Sequence, residues 1–339
     1  VTLERYACQL KLPIWGGAEG QAKLRESTVA IVGVGATGCA IAETLVRAGV
    51  GKVRLIDRDV LEASNLQRQI LYDEHDLASG LPKAELARRR LERVNTEVEL
   101  EACVADLHAG NVRALLGDAD LVLDGTDNFG TRFVINDACA SLAKPWVYAG
   151  VVGTEVHGFP IVPGGPCFRC YLPEPPPPGT TETCQSAGVL GPAVLVCSGL
   201  AASEGLKLLL GGAPAQGLFM IDVWGRDARR VKFAKDPDCV TCGGSYEFLE
   251  APREASAELC GQDAVALRSP SELGLDLERL ATVLEGHGKL ETQNAFLLRF
   301  VPSDRPELRL TLFKDGRALV KGTQDPGLAR GLYAKFVGV

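Results

Sequence analysis

The chain has 339 residues, 46% of them hydrophobic and 23% charged, with a formal net charge of −7. That length buries one large core and a second, small one. The acidic balance excludes non-specific nucleic-acid binding as the main role. The 11 cysteines are an odd count, and a chain this long needs no disulfide staples. With no signal peptide at the start, they read as cytosolic thiols and metal ligands, and the expected location is cytoplasmic. The uncharged stretch Thr183 to Ser203 contains Gln185, Ser186 and Pro192. It makes a poor membrane span and reads instead as a loop followed by a buried helix from near Pro192.

In chain order, Arg5 to Ala22 is expected to be helical or irregular and to pack on the outside of the first domain. Val29 to Val32 reads as a strand, Gly33-Val-Gly35-Ala-Thr-Gly38 as a glycine loop, Cys39 to Ala48 as a helix and Lys52 to Ile56 as a second strand. Pro82 to Val94 has helical periodicity with Pro82 in the first turn. Val98 to Val104 and Asp120 to Asp124 read as strands, Phe129 to Ala143 as helix and Trp146 to Val152 as strand. This alternation predicts an α/β fold with a mostly parallel sheet covered on both faces. From Val156 the strands shorten and prolines increase, with Pro175 to Pro178 read as a stiff, exposed crossing loop. The expected domains are residues 1–244 and a small α/β appendage, 245–339. In the appendage, Leu308 to Lys321 reads as a hairpin turning at Lys314-Asp315-Gly316, and Asp325-Pro326 caps a last helix.

The strand–loop–helix–strand unit ends on Asp57, an acid nineteen residues past Gly38, which is the nucleotide-binding βαβ fingerprint in its structural context. Gly33 allows the tight turn, Gly35 the approach of a pyrophosphate and Gly38 the close packing of helix on strand. Asp57 then takes ribose hydroxyls. The following run, with Asp59, Asn65, Arg68 and Gln69, is crowded with side chains suited to ribose and phosphate. Asp127 and Asn128 lie at another strand end. Asp127 suits a magnesium ion bridging nucleotide phosphates, with capping of the next helix as the competing role. Lys83 lies in a first helical turn, where the dipole disfavours a cation. It reads as neutralising phosphate, or alternatively as an exposed lysine paired with an acid. Cys167/Cys170 and Cys239/Cys242 form two Cys-x-x-Cys pairs that suit a closed tetrahedral zinc site if folding unites them. A redox pair is the rival reading. Cys39, Cys103, Cys139 and Cys197 fall on apolar faces and read as core.

From about Arg5 to Gly243, these separated motifs resemble the ubiquitin-activating-enzyme-like adenylyltransferases of the ThiF/MoeB type. Those enzymes activate small sulfur-carrier proteins in thiamin or molybdopterin biosynthesis. The resemblance implies a Rossmann-like nucleotide domain whose C-terminal part is stapled by zinc. It implies ATP and Mg2+ as well, with Arg68, Lys83 and Asp127 as the residues acting on the phosphates. The partners it implies are a ubiquitin-like carrier ending in Gly-Gly, a sulfur donor protein and a second copy of the chain. Relatives use a cysteine at the position of Cys184 for covalent carrier contact or sulfur transfer. Near the N-terminus the family pattern Arg-Tyr-x-Arg-Gln appears here as Arg5-Tyr6-Ala7-Cys8-Gln9, so a cysteine stands where an arginine reaches the phosphates across the dimer interface. The sequence leaves two alternatives to the adenylyltransferase reading. One is a non-catalytic carrier-binding scaffold, and the other an NAD-dependent oxidoreductase.

Overall fold

The computed structural model describes residues 3–177, 180, 186–250, 256–258, 263–267 and 274–338. Two compact units emerge, one of residues 1–78 with 82–251 and one of residues 79–81 with 252–339.

The first unit is built on an eight-stranded sheet. Its strands are β1 (Thr28–Val32), β2 (Lys52–Ile56), β3 (Glu99–Cys103), β4 (Leu121–Asp124), β5 (Trp146–Val152), β6 (Glu155–Ile161), β7 (Leu218–Asp222) and β8 (Asp227–Val231). Their spatial order is β3-β2-β1-β4-β5-β6-β7-β8. The first five are mutually parallel, and β6, β7 and β8 turn antiparallel. Apolar runs such as Val29 to Val32 lie buried because helices cover the sheet. The principal helices of this unit are α1 (Gly17–Glu26), α2 (Ala36–Ala48), α3 (Lys83–Glu92), α4 (Phe129–Ser141) and α5 (Gly191–Leu209). Because β2 and β3 lie on one side of β1 and β4 on the other, the chain reverses its winding at β1. The carboxyl end of that strand opens the ligand crevice of such a sheet.

Helix boundaries depart from the sequence reading only at the ends. Helix α2 begins at Ala36, inside the glycine loop, and Pro82 sits just before α3 rather than in its first turn, with φ −63° and ψ 150°. Helix α5 starts at Gly191 with Pro192 in its first turn. It is long and apolar enough to span a membrane by composition, yet Ala193, Val194, Cys197, Ala201 and Ala202 are buried within the unit. The N-terminal segment forms short helical turns against the outside of the sheet unit. Tyr6 turns inward, its hydroxyl accepting from Asn95 Nδ2 at 2.9 Å, and Gln9 Nε2 donates to Ala48 O at 2.9 Å.

The second unit is a six-stranded antiparallel sheet of β9 (Ser256–Glu258), β10 (Ala264–Leu267), β11 (Gly288–Gln293), β12 (Leu297–Pro302), β13 (Arg309–Phe313) and β14 (Ala318–Lys321), ordered β11-β12-β13-β14-β10-β9. Helices α6 (Leu277–Leu284) and α7 (Pro326–Phe336) cover one face over a core that includes Leu298, Phe300, Leu310, Leu312 and Val320. The hairpin β13–β14 turns at Lys314-Asp315-Gly316, and the Asp325 side chain caps α7 by accepting from Gly327 N at 2.8 Å.

Candidate nucleotide crevice and four-cysteine cluster

Gly33 has φ +82°, and a Cβ there would lie 2.7 Å from Gly125 O. The glycine therefore serves both the left-handed turn and the close approach of the β4 loop. At Gly38 a Cβ would meet Gly33 O at 1.8 Å, so only glycine lets α2 fold back onto the turn. Gly35 is different: within 4 Å a Cβ there would meet only Gln69 Nε2, at 3.6 Å. No side chain caps the α2 N-terminus that follows it. The loop therefore presents an uncovered cradle with free N–H groups, the arrangement that receives phosphate.

Asp57 closes the loop from β2. Its two carboxylate oxygens accept from Val34 N at 2.8 Å and Asp59 N at 2.7 Å. Burial pushes this carboxyl up to about 6, against the pull of the Lys83 charge. Lys83 is itself buried, not exposed as one reading of it held, and its ammonium lies 3.4 Å from Asp59 Oδ2. Burial pulls Lys83 down, but the carboxylates of Asp59, Asp57 and Asp127 outweigh it and hold the group above its ordinary value. Its place is fixed by a backbone bond from Lys83 N to Asp59 O at 2.9 Å. Arg58, which sequence reasoning passed over, donates to Asp106 Oδ1 at 3.3 Å and shares the field of the same acids.

The remaining side chains of the run divide. Asn65 is buried and completes a reciprocal capping box with Glu62. Gln69 is buried beside the Gly35 cradle with Oε1 unpartnered. Arg68 is half-buried, its guanidinium donating to Ser64 O at 2.8 Å. At the end of β4, Asp127 is exposed, while Asn128 caps α4 by accepting from Thr131 N at 2.8 Å. The capping role weighed for Asp127 thus belongs to its neighbour, because only Asn128 stands in the residue position before the helix.

A buried ion pair supports this β4 loop. Arg132 Nε donates to Asp124 Oδ2 at 2.8 Å and Nη2 to Thr126 O at 2.7 Å. Asp124 Oδ1 accepts from Thr126 N at 2.8 Å and Thr126 Oγ1 at 2.6 Å. The signal in the sequence was a charged residue among the apolar residues that α4 turns inward, and Asn136 and Asp137 on the same helix give a signal of the same kind.

The four cysteines of the two pairs come together, their sulfurs all within 4.8 Å of one another. Cys167 and Cys239 are 3.5 Å apart, Cys170 and Cys242 3.6 Å, Cys167 and Cys170 3.9 Å. A zinc ion with four sulfurs at about 2.3 Å has tetrahedral edges of about 3.8 Å, so the cluster fits that ion. Of the cysteines read as core, Cys39, Cys139 and Cys197 are buried, whereas Cys103 at the end of β3 is half-buried. Cys184 and Pro178 lie outside the described residues.

The fold and the crevice define an α/β nucleotide-binding protein with a cysteine-clustered antiparallel extension. The chain belongs to the ThiF family, whose sequence model matches residues 6–241. It is 40% identical to the sulfur carrier protein ThiS adenylyltransferase of Bacillus subtilis over 98% of this chain and 99% of that one. With the sulfur carrier protein adenylyltransferase of Thermus thermophilus it shares 41% identity over 71% of this chain and 91% of the other. A solved structure of Escherichia coli MccB with ATP superimposes with a TM-score of 0.61 at 23% identity, over 71% of this chain and 74% of that one, which speaks for the fold. By this membership the chain is a nucleotidyltransferase, which selects the adenylyltransferase reading over the oxidoreductase one.

Proposed function

We propose that the chain adenylates the C-terminal glycine carboxylate of a ubiquitin-like sulfur-carrier protein ending in Gly-Gly. A carboxylate oxygen attacks the α-phosphorus of ATP, the bond from that phosphorus to the bridging oxygen of the β-phosphate breaks, and pyrophosphate leaves as the acyl-adenylate forms. The observation that carries this reading is the uncovered Gly35 cradle at an uncapped helix N-terminus, flanked by the buried cation Lys83 and the acid Asp57. Its groups are those that orient a nucleotide and offset phosphate charge without an enzyme nucleophile.

In this reading Gly33, Gly35 and Gly38 shape the loop, and Asp57 accepts from ribose hydroxyls. Asp59 and Asn65 hold the surrounding backbone, and Asn128 fixes the β4 loop. Gln69, whose Nε2 stands beside the cradle, donates to the nucleotide, and Arg68 swings from Ser64 O to the phosphates. Mg2+ held by the exposed Asp127 would neutralise phosphate charge. Zinc on Cys167, Cys170, Cys239 and Cys242 would have a structural role, since four thiolates leave no open coordination position. The carrier is of the ThiS, thiamin type rather than the molybdopterin type. In support, the Bacillus subtilis relative named for ThiS aligns along nearly the whole chain, including residues past 244.

The assembly we propose is a cytoplasmic homodimer that receives sulfur from a donor protein, with Cys184 able to carry sulfur or contact the carrier covalently. The exposed Leu12, Ile14 and Leu195 supply apolar surface for the dimer. Exchange of labelled pyrophosphate into ATP is the test. It should require a Gly-Gly-terminated carrier and vanish when the last glycine is removed. Carrier binding without exchange would favour the scaffold reading, which the exposed Cys8 in the place of the family's arginine keeps in view.

A further inference from the structure

We infer that Asn136 and Asp137 are the positioning residues of the four-cysteine centre, one serving each Cys-x-x-Cys loop. The inference rests on the reading that the cluster holds zinc. Both residues are fully buried on α4. Asn136 Oδ1 accepts from Phe168 N at 2.8 Å, which fixes the orientation of the amide. Its Nδ2 consequently faces Cys167 Sγ at 3.8 Å. Asp137 takes the other loop: Oδ1 accepts from Thr241 Oγ1 at 2.7 Å and Oδ2 from Phe248 N at 3.0 Å. Thr241 lies between Cys239 and Cys242, and Phe248 follows them. Asn136 Nδ2 also donates to Asp137 Oδ1 at 3.3 Å, joining the two anchors.

A buried carboxyl and amide are unfavourable in a helix unless every polar atom is served. Here the partners of each are drawn from the segments that carry the sulfurs, 31 to 111 residues away along the chain. An N–H directed at a thiolate draws off part of its negative charge. Four thiolates around a divalent cation retain a net charge of about −2, so such donors stabilise the centre and fix its ligands. Asp236 N, at 3.4 Å from Cys170 Sγ, is a backbone donor of the same kind. The cage is thereby assembled from its own scaffold, with the sulfurs already at tetrahedral spacing.

The test compares the full chain with Asn136→Asp, Asn136→Ala and Asp137→Asn, each reconstituted with Zn2+ or with Co2+ as a spectroscopic probe. Asn136→Asp retains the acceptor for Phe168 N but replaces the donor facing Cys167. It should shift the sulfur-to-cobalt charge-transfer band and weaken zinc about 10- to 100-fold in competition with a chromophoric chelator. Asp137→Asn should speed zinc release while leaving that band in place. ATP binding, at the far end of α4, reports whether each variant is folded. If Asn136→Ala does not fold, the isosteric Asn136→Asp and the release rate of Asp137→Asn decide the matter. Zinc affinity within twofold of the unaltered chain and an unshifted band in Asn136→Asp would overturn the inference. Absence of zinc from the unaltered, reduced chain would instead overturn the zinc reading itself.

Discussion

Replacing Arg132 by methionine tests how the β4 loop is held. The guanidinium is the ionic partner of Asp124, which is fully buried, and it also donates to Thr126 O and, at 3.3 Å, to Ala149 O. It stacks over Tyr148 with its carbon 5.0 Å from the ring centre. Methionine keeps much of the apolar volume but leaves a buried carboxylate without its counter-charge and two carbonyls without this donor. Breaking a buried pair in this way costs about 3–5 kcal/mol. For a unit of roughly 250 residues that lowers the melting temperature by roughly 6–20 °C. Denaturant unfolding followed by tryptophan fluorescence isolates the relevant unit, because Trp15, Trp146 and Trp224 all lie in it. The double variant Asp124→Asn/Arg132→Met should recover a large part of the loss, since both charges leave together. A loss below about 1 kcal/mol, or a double variant no more stable than the single one, would refute the account of an ion pair holding the loop.

Four further outcomes are expected. Lys83→Met should lower pyrophosphate exchange about 100- to 1,000-fold, as removal of one preorganised charge contact does; exchange within threefold of the unaltered chain would remove Lys83 from the phosphate site. Affinity for ATP, measured by calorimetry, should rise as pH increases through about 6, where Asp57 ionises and becomes a stronger acceptor, and Asp57→Asn should abolish that inflection. The same carboxyl has a folded-state value above its ordinary 3.8, so its contribution to stability is present at low pH and is lost as pH rises from 3.8 to about 6. Cys8→Arg should raise turnover with little change in ATP affinity, up to roughly a thousandfold if the arginine acts across a dimer interface; unchanged turnover, with activity abolished by Lys11→Ala, would assign the charge to that neighbour.

The nucleotide unit was legible because two of its glycines answer to geometry that no other residue meets. Gly33 and Gly38 are required by backbone carbonyls 2.7 and 1.8 Å from where a Cβ would stand, and both signals lie within ten residues of the strand they serve. The cysteine pairs were legible for a similar reason, each supplying half a tetrahedron locally. Asn136 and Asp137 were not, because most of their partners come from segments that only the finished fold brings near; Arg132 was missed although Asp124 and Thr126 stand only eight and six residues before it. A polar residue inside a helix announces that something is bonded, without saying what. Strands β10 and β11 also escaped notice. The first has four residues, and the second, Gly-Lys-Leu-Glu-Thr-Gln, alternates too weakly to distinguish an edge strand from a loop. Strand β8, whose residues are all exposed, reads as a charged surface segment and owes its form to pairing with β7.

The cysteine cluster ties residues 72 positions apart, Cys167 to Cys239 and Cys170 to Cys242. Between them runs the chain that forms α5, β7 and β8. A metal there would close a ring of that length, and a covalent closure of the same size removes roughly 4 kcal/mol of freedom from the unfolded chain. Helix α5 meets the nucleotide loop within that ring, where Ser198 Oγ donates to Thr37 O at 3.0 Å in the first turn of α2. An ion that takes no part in the chemistry would thus restrain a ring of chain that leans on the glycine turn. Stripping it would register first as easier proteolysis of the ring, and only afterwards as weaker grip on phosphate.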